Sequence, residues 1–398
     1  MKKFKIGLLP RIIIAICLGI GAGYCFPEWL GRAFATFNGL FNEFLGFCIP
    51  LIILGFVAPA IGDIGNRAGK MLLFTALLAY GATLCAGLVS YGTGALVFPE
   101  MIGFNPTLQK VAEAGDGLRP YFTVEMPPLM SVMTSLVTAF VLGVGCSRLR
   151  SGAMRGVLDD LRTIIELTIK AVIIPLLPLY IFGIFLNMTV TGQVGGILAT
   201  FAKIIVVIFA LHVLLLVAQY CIAALFSNGE RNPLKLLRTM LPAYFTALGT
   251  QSSAATIPVT LKQSIATGVS PQVAGFVIPL CATIHMSGST LKIVACALAL
   301  MITQGMPYDF GMFAGFIAML GITIIAAPGV PGGAIMASLG LLSSMLGFSE
   351  ADNALMIALY IAMDSFGTAC NVTGDGALAI IVNRFFSNSQ ATAQKDAL

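Results

Sequence analysis

Charge is what this sequence has least of: only 10% of its 398 residues are Asp, Glu, Lys or Arg, against 58% hydrophobic. A soluble globular domain carries roughly 25% charged residues, and a mean hydropathy of +0.96 excludes that class. The formal charge of +5 comes from scattered basic residues, so nucleic acid is not an expected partner. C-x-x-C pairs are absent, and the nine cysteines lie apart, mostly inside apolar runs. That argues against a disulfide framework or a cysteine metal site and leaves small buried hydrophobes. A cleavable leader is not expected either: residues 1–25 have a basic start and an apolar core, but Gly21-Ala22-Gly23 is a poor cleavage site and further apolar runs follow at once.

What the sequence does have is apolar runs long enough to cross about 30 Å of hydrocarbon, for example 12–25, 45–61, 71–98 and 204–226. The pattern predicts an all-α membrane protein with about eight transmembrane helices and two re-entrant helical hairpins. Basic residues cluster before the first span (Lys2, Lys3, Lys5, Arg11) and after the second (Arg67, Lys70). They recur after the fourth (Arg148, Arg150, Arg155, Arg162) and after the sixth (Arg231, Lys235, Arg238). The positive-inside rule then places all of these clusters, and both termini, in the cytoplasm. Residues 1–200 read as mostly uninterrupted helix, a scaffold. Residues 201–388 differ in kind, and 389–398 form a polar cytoplasmic tail.

In that second part the apolar stretches are broken in the middle by polar and Gly/Pro clusters. One break is Gly249-Thr250-Gln251-Ser252-Ser253-Ala254-Ala255-Thr256-Ile257-Pro258, and another runs from Ala326 through Pro328, Gly329, Val330 and Pro331 to Gly333. Both are flanked by arms too short to span. Non-helical backbone at membrane depth survives only packed in protein or lining a wet cavity, so we expect hairpins at about 240–270 and 311–348. Each is followed by a span with its own polar interruption, His285-Met286-Ser287-Gly288-Ser289 and then Asp364 to Asp375. Hairpin plus broken span thus occurs twice with opposite orientation, an inverted repeat of the kind that marks a transporter's midplane site.

Asp364, Thr368, Asn371 and Asp375 stand at i, i+4, i+7 and i+11, within a sector of roughly 60° on a helix. A carboxylate at bilayer depth costs on the order of 2.5–3.5 kcal/mol even on the lenient insertion scale, so two on one face need cationic partners. The stripe is either a structural polar network or a site in which one carboxylate holds a substrate ammonium and the other a metal cation, with Asn371 serving both.

At these residues the chain resembles the dicarboxylate/amino acid:cation symporter family, the glutamate-transporter-like proteins, over essentially its whole length. The Ser-rich break at 250–258 is similar to that family's first hairpin tip, and Gly329-Val330-Pro331-Gly332-Gly333 to its second, the gate. Asp364, Thr368, Asn371, Gly374 and Asp375 match the pattern D-x-x-R-T-x-x-N-x-x-G-D. The resemblance implies a homotrimer in the plasma (inner) membrane. It implies elevator motion of a transport domain in which the third span, about 71–98, travels with residues 201–388. It also implies roles: Asp364 for a substrate ammonium, Asn371 and the backbone of Ser252, Ser253, Gly329 and Val330 for its carboxylate, Thr368 for a further hydrogen bond. Asp375, Asn371 and the carbonyls around Cys281 and His285 would take one sodium ion, and Thr283 would support another beneath the second hairpin. No prosthetic group is implied, only a coupling ion, Na⁺ and/or H⁺.

Two departures refine this. Where acidic-substrate members carry an arginine fork, this chain has Gly367, which opens space and removes bidentate carboxylate recognition. A small neutral amino acid is the expected substrate, with aspartate, glutamate and succinate disfavoured because a second carboxylate would lie near Asp364 uncompensated. Where the family has N-M-D-G-T, this chain has His285-Met286-Ser287-Gly288-Ser289, which removes two oxygen ligands of the deep sodium site, and the stretch Ala79-Tyr80-Gly81-Ala82-Thr83 lacks an adjacent hydroxyl pair. Coupling to fewer sodium ions follows. Lys292, seven residues after His285 on the same helix face, has two open readings: it snorkels to the outer interface, or Lys292 or His285 supplies a protein-borne charge to Asp364 or Asp375, with proton coupling then available because histidine titrates near neutrality. The competing functions are a proton-coupled carrier of small carboxylates and, more remotely, an intramembrane hydrolase built from Ser252 or Ser253 with His285.

Overall fold

The computed structural model describes residues 8–66, 70–102, 118–149, 152–192, 194–325 and 332–395, all of whose regular structure is helical. The first part holds α1 (Leu8–Cys25), α2 (Glu28–Asn66), α3 (Lys70–Met101) and α4 (Val132–Arg148). It continues with α5 (Ala153–Thr168), which runs through a π turn at Ile169–Ile173 into α6 (Ile174–Val190), and then α7 (Val194–Phe226). Among the described residues five helices are long and apolar enough to cross a membrane, or six if the bent pair at the C-terminal end counts as one span. Helix α1 and helix α4 are shorter apolar helices, and they are what separates six from the expected eight.

The first expected hairpin is present as two short helices, α8 (Pro233–Thr250) and α9 (Ser253–Ala266), packed against each other. Asn232 caps the first through the N–H groups of Leu234 and Lys235, with Pro233 at the first helical position. Gln251 breaks the pair with a left-handed φ of 54°, and Ser252 then caps α9 by accepting from Ala255 N–H at 3.3 Å. The second hairpin is α12 (Phe310–Ile325) against α13 (Gly333–Leu346). Its tip, with Gly329 and Val330, lies outside the described residues, and the chain re-enters them at Gly332 with φ 78°.

Both broken spans are also present. Helix α10 (Pro271–Ile284) passes through His285 and Met286 into α11 (Ser287–Gln304), while α14 (Glu350–Ala362) and α15 (Asp364–Lys395) meet at Met363 with a bend of 62°. Apolar packing forms two clusters: a large one joining α1–α7 to α11–α14, and a smaller one around α15, the second half of α7, α8, α10 and Ala79 of α3.

Glycines set how closely α10, α11 and α15 approach. A Cβ on Gly288 would lie 2.7 Å from the Cys370 Cβ and 2.8 Å from the Gly367 carbonyl oxygen; one on Gly374 would lie 2.6 Å from the His285 ring and 2.7 Å from Gln219 Oε1. By contrast, a Cβ on Gly275 of α10 meets nothing within 4 Å. Gly374→Ala should therefore lower the thermal unfolding midpoint in detergent clearly, since a rigid ring must move. Gly275→Ala should be neutral or stabilising by about 0.5–1 kcal/mol from helix propensity alone. Equal effects at the two positions would contradict this packing.

Candidate functional site

The stripe expected on the last helix exists, and it faces the protein interior: Asp364, Thr368, Asn371 and Asp375 all lie on α15 and are all buried. Its partners come chiefly from α11 and the break before it, in a ladder of three rungs. Residue numbers fall on the α10–α11 side as they rise along α15, so the two helices run antiparallel through the contact.

At the first rung, Lys292 Nζ donates to Asp364 Oδ1 at 3.0 Å, and the lysine side chain has no exposed surface. The other carboxylate oxygen, Oδ2, accepts from Gly332 N–H at 2.8 Å. The ammonium also sits 3.4 Å from the centroid of the Tyr360 ring, a cation–π contact strengthened by the dry surroundings. This resolves the two readings of Lys292: it does not snorkel, because its charge is held inside. It also corrects the reading of Gly367. A Cβ there would lie 2.7 Å from Lys292 Nζ and 2.9 Å from its Cε, so the space left by the missing arginine is filled by lysine from the neighbouring helix. Asp364 is accordingly compensated, not bare.

The middle rung is Asn371. Its Oδ1 accepts from Gly288 N–H at 2.8 Å and Ser289 N–H at 3.3 Å, the donors that the break leaves free at the start of α11. Its Nδ2 donates to Ser289 Oγ at 3.1 Å, and Ser289 in turn receives the Tyr360 hydroxyl at 3.2 Å. The third rung joins His285 Nδ1 to Asp375 Oδ1 at 2.9 Å, both side chains buried. On the other side of the ring, Nε2 lies 2.9 Å from Ser287 Oγ, which Gln219 Nε2 reaches at 3.2 Å. One consistent proton arrangement runs Gln219 N–H to Ser287, Ser287 O–H to neutral His285, and Nδ1–H to Asp375. Turning the Gln219 amide over reverses the chain and accepts an imidazolium instead.

Both hairpins converge on the first turn of α15. Gln251 Nε2 donates to Ser365 Oγ at 2.8 Å, so Gln251 does reach this region, and Gly332 at the start of α13 donates to Asp364. Ser252 and Ser253 stand at the start of α9 beside that contact. Other expected residues are spread more widely. The Cys281 carbonyl accepts the His285 N–H at 2.9 Å, while exposed Thr283 bonds back to the Leu280 carbonyl at 2.8 Å. Thr83 contacts Met286 N–H at 3.4 Å, which brings α3 to the break despite the missing hydroxyl pair. Among the described residues no group of three or more His, Cys, Asp or Glu side chains is arranged to hold a metal ion.

Several contributors were not singled out from the sequence: Gln219, Tyr360 and His212, whose Nε2 lies 3.0 Å from the Gly288 carbonyl; Ser289 stood in the polar interruption at 285–289 without a role of its own. His212 and Gln219 stand seven apart in an otherwise apolar helix, a spacing that puts two polar residues on one face and was open to reading. Tyr360 carries no comparable signal.

Comparison with known proteins finds similarity along nearly the whole chain. The model of the Sodium:dicarboxylate symporter family matches residues 8–385. Relatives described as serine/threonine transporter SstT, from Acinetobacter baumannii strains AYE and AB307-0294, are each 27% identical over 389 residues, covering 93% of this chain and 95% of theirs.

Removing one member of a buried ion pair strands the other, at about 3–5 kcal/mol, while replacing both is far milder. Lys292→Met and Asp364→Asn should each lower the unfolding midpoint, and the double variant should recover most of the loss. Additive costs in that cycle would mean that the two groups do not pair.

Proposed function

The chain belongs to the Sodium:dicarboxylate symporter family, a family of membrane transporters and not of enzymes, and on that premise we propose that it is a cation-coupled symporter of a small neutral amino acid. The observation that carries this reading is the convergence of two hairpin starts on the Asp364 end of α15. Helix N-termini present free N–H groups and positive dipole ends to an anion, and Asp364 lies beside them for an ammonium. Asn371 and the backbone at Ser252, Ser253, Gly329 and Val330 serve the α-carboxylate, and Thr368 lines the side-chain end, with the Gly367 surface covered by Lys292. The substrate class follows from the missing guanidinium fork: Lys292, which fills the space beside Gly367, is already paired with Asp364 and offers no bidentate grip on a second carboxylate, and serine and threonine, in the relatives' name, belong to the neutral class.

In this reading residues 201–388 and α3 move together against a scaffold drawn from residues 1–200, elevator fashion, within a homotrimer in the plasma membrane with both termini cytoplasmic. What supports the place of α3 is its bonding to the mobile part: Ser90 Oγ donates to the Leu291 carbonyl at 2.7 Å and Tyr80 to that of Ala318 at 3.1 Å. His285 stands where a sodium ion's ligands stand in the family pattern and gives Asp375 a protein-borne partner, so fewer sodium ions, or a proton in place of one, drive transport. A hydrolytic reading from Ser252 or Ser253 with His285 has no geometric support: His285 is engaged by Ser287, which is fully buried.

A second reading, transport of a small carboxylate without an amine, is favoured by one observation. Asp364 already has an ammonium in Lys292, so the site does not require one from the substrate. Thermal shifts with alanine, serine and proline against succinate separate the two.

Reconstituted protein should accumulate labelled serine or alanine under an imposed sodium or proton gradient, and Asp364→Asn should abolish it. Retained uptake in a folded variant would sink the ammonium role. His285→Asn leaves Asp375 without its partner and should make uptake more dependent on sodium. An unchanged dependence on both gradients would remove His285 from the coupling.

A further inference from the structure

Lys292 and Asp364 form an ion pair inside the part of the protein that the preceding reading moves across the membrane, and this inference rests on that reading. The pair is closed off on every side the structure describes: the lysine is fully buried, its Nζ is 3.0 Å from Oδ1 and 3.5 Å from the Met363 carbonyl, and Tyr360 covers it. Gly367 makes room for it, since a Cβ there would lie 2.7 Å from Lys292 Nζ and the ammonium would have to shift. Asp364 is also the group on which the proposed substrate ammonium would sit. Two ammonium groups therefore compete for one carboxylate.

We infer that Lys292 is a tethered counter-ammonium of the substrate site: it neutralises Asp364 when the site is empty and is displaced from it by the ammonium of the incoming amino acid. Charge balances in both states. Asp364 with Lys292 sums to zero, and a zwitterionic amino acid adds zero, so neither the empty nor the loaded site carries an unpaired charge through the low-dielectric interior. The displaced lysine keeps the face of Tyr360, and it meets the carboxylate that arrives on the same molecule. Lys292 thus becomes a specificity-determining residue as well. It discriminates against a cationic amine without a carboxylate, whose binding would leave two cations against one acid.

The functional consequence is that the empty carrier can return without taking anything on the opposite side. In proteoliposomes under a fixed cation gradient, entry of labelled serine is measured with the lumen either free of amino acid or loaded with unlabelled serine, at saturating substrate. Wild-type net uptake should run within a few-fold of exchange. In Lys292→Met the empty site carries a bare carboxylate, and the ratio of net uptake to exchange should fall by at least about tenfold, the loss of a buried pair being worth that much or more. Gly367→Ala, which crowds the ammonium off Asp364, should move the ratio in the same direction and serves if the lysine variant does not fold. Wild-type entry that requires a preloaded lumen, or an unchanged ratio in a folded variant, overturns the inference while leaving amino-acid transport intact. Absence of any amino-acid flux in the wild type overturns the reading and the inference together.

Discussion

Two carboxylates buried on one face of one helix set the terms for everything around them. A carboxylate withdrawn from water costs several kcal/mol unless a partner of opposite charge and further hydrogen-bond donors replace the lost hydration. Asp364 and Asp375 are both nearly inaccessible, and the structure meets the requirement twice with side chains that belong to the protein, the Lys292 ammonium and the His285 imidazole. The backbone serves the same end. The break before α11 frees the N–H groups that Asn371 accepts, and the start of α13 gives one to Asp364. Interrupted helices are usually a weakness in a bilayer, but here the interruptions supply the donors that the acidic stripe needs.

The close approach of α11 and α15 depends on residues without side chains. Gly288, Gly367 and Gly374 each lie where a Cβ would overlap a neighbour, and two of them seat the basic partners: Gly367 the lysine and Gly374 the imidazole. Glycines seven apart on α15 thus face basic residues seven apart on the opposing strand of the ladder. Gly367 on α15 and Lys292 on α11 act together: the one leaves the space that the other fills. The positive charge so placed is a partner for Asp364.

Much of this was legible in the sequence. The repeated pattern of short arms, Ser- or Gly/Pro-rich tips and interrupted spans located both hairpins and both breaks, because unpaired backbone within hydrocarbon leaves a compositional mark. The i, i+4, i+7, i+11 spacing likewise put Asp364, Thr368, Asn371 and Asp375 on one face. Pairing across helices was not legible. Lys292 on an apolar helix reads equally as a snorkelling residue, since only the position of α15 decides whether its ammonium reaches water or Asp364. For the same reason Gly367 read as open space: a vacancy in one helix says nothing of what the next helix inserts. Tyr360 gave no signal, as a tyrosine in a membrane helix is unremarkable until its partners are known.

The central claim, that Lys292 and His285 and not bound ions are the partners of the two buried carboxylates in the empty state, is tested most directly by an experimental structure of the substrate-free protein in lipid, determined in the presence of sodium at a resolution that distinguishes ions from water. The account predicts continuous contact between Lys292 and Asp364 and between His285 and Asp375, with no cation density on either carboxylate. Lys292 turned away from Asp364, or a sodium ion coordinated by Asp375 with His285 displaced, would contradict it.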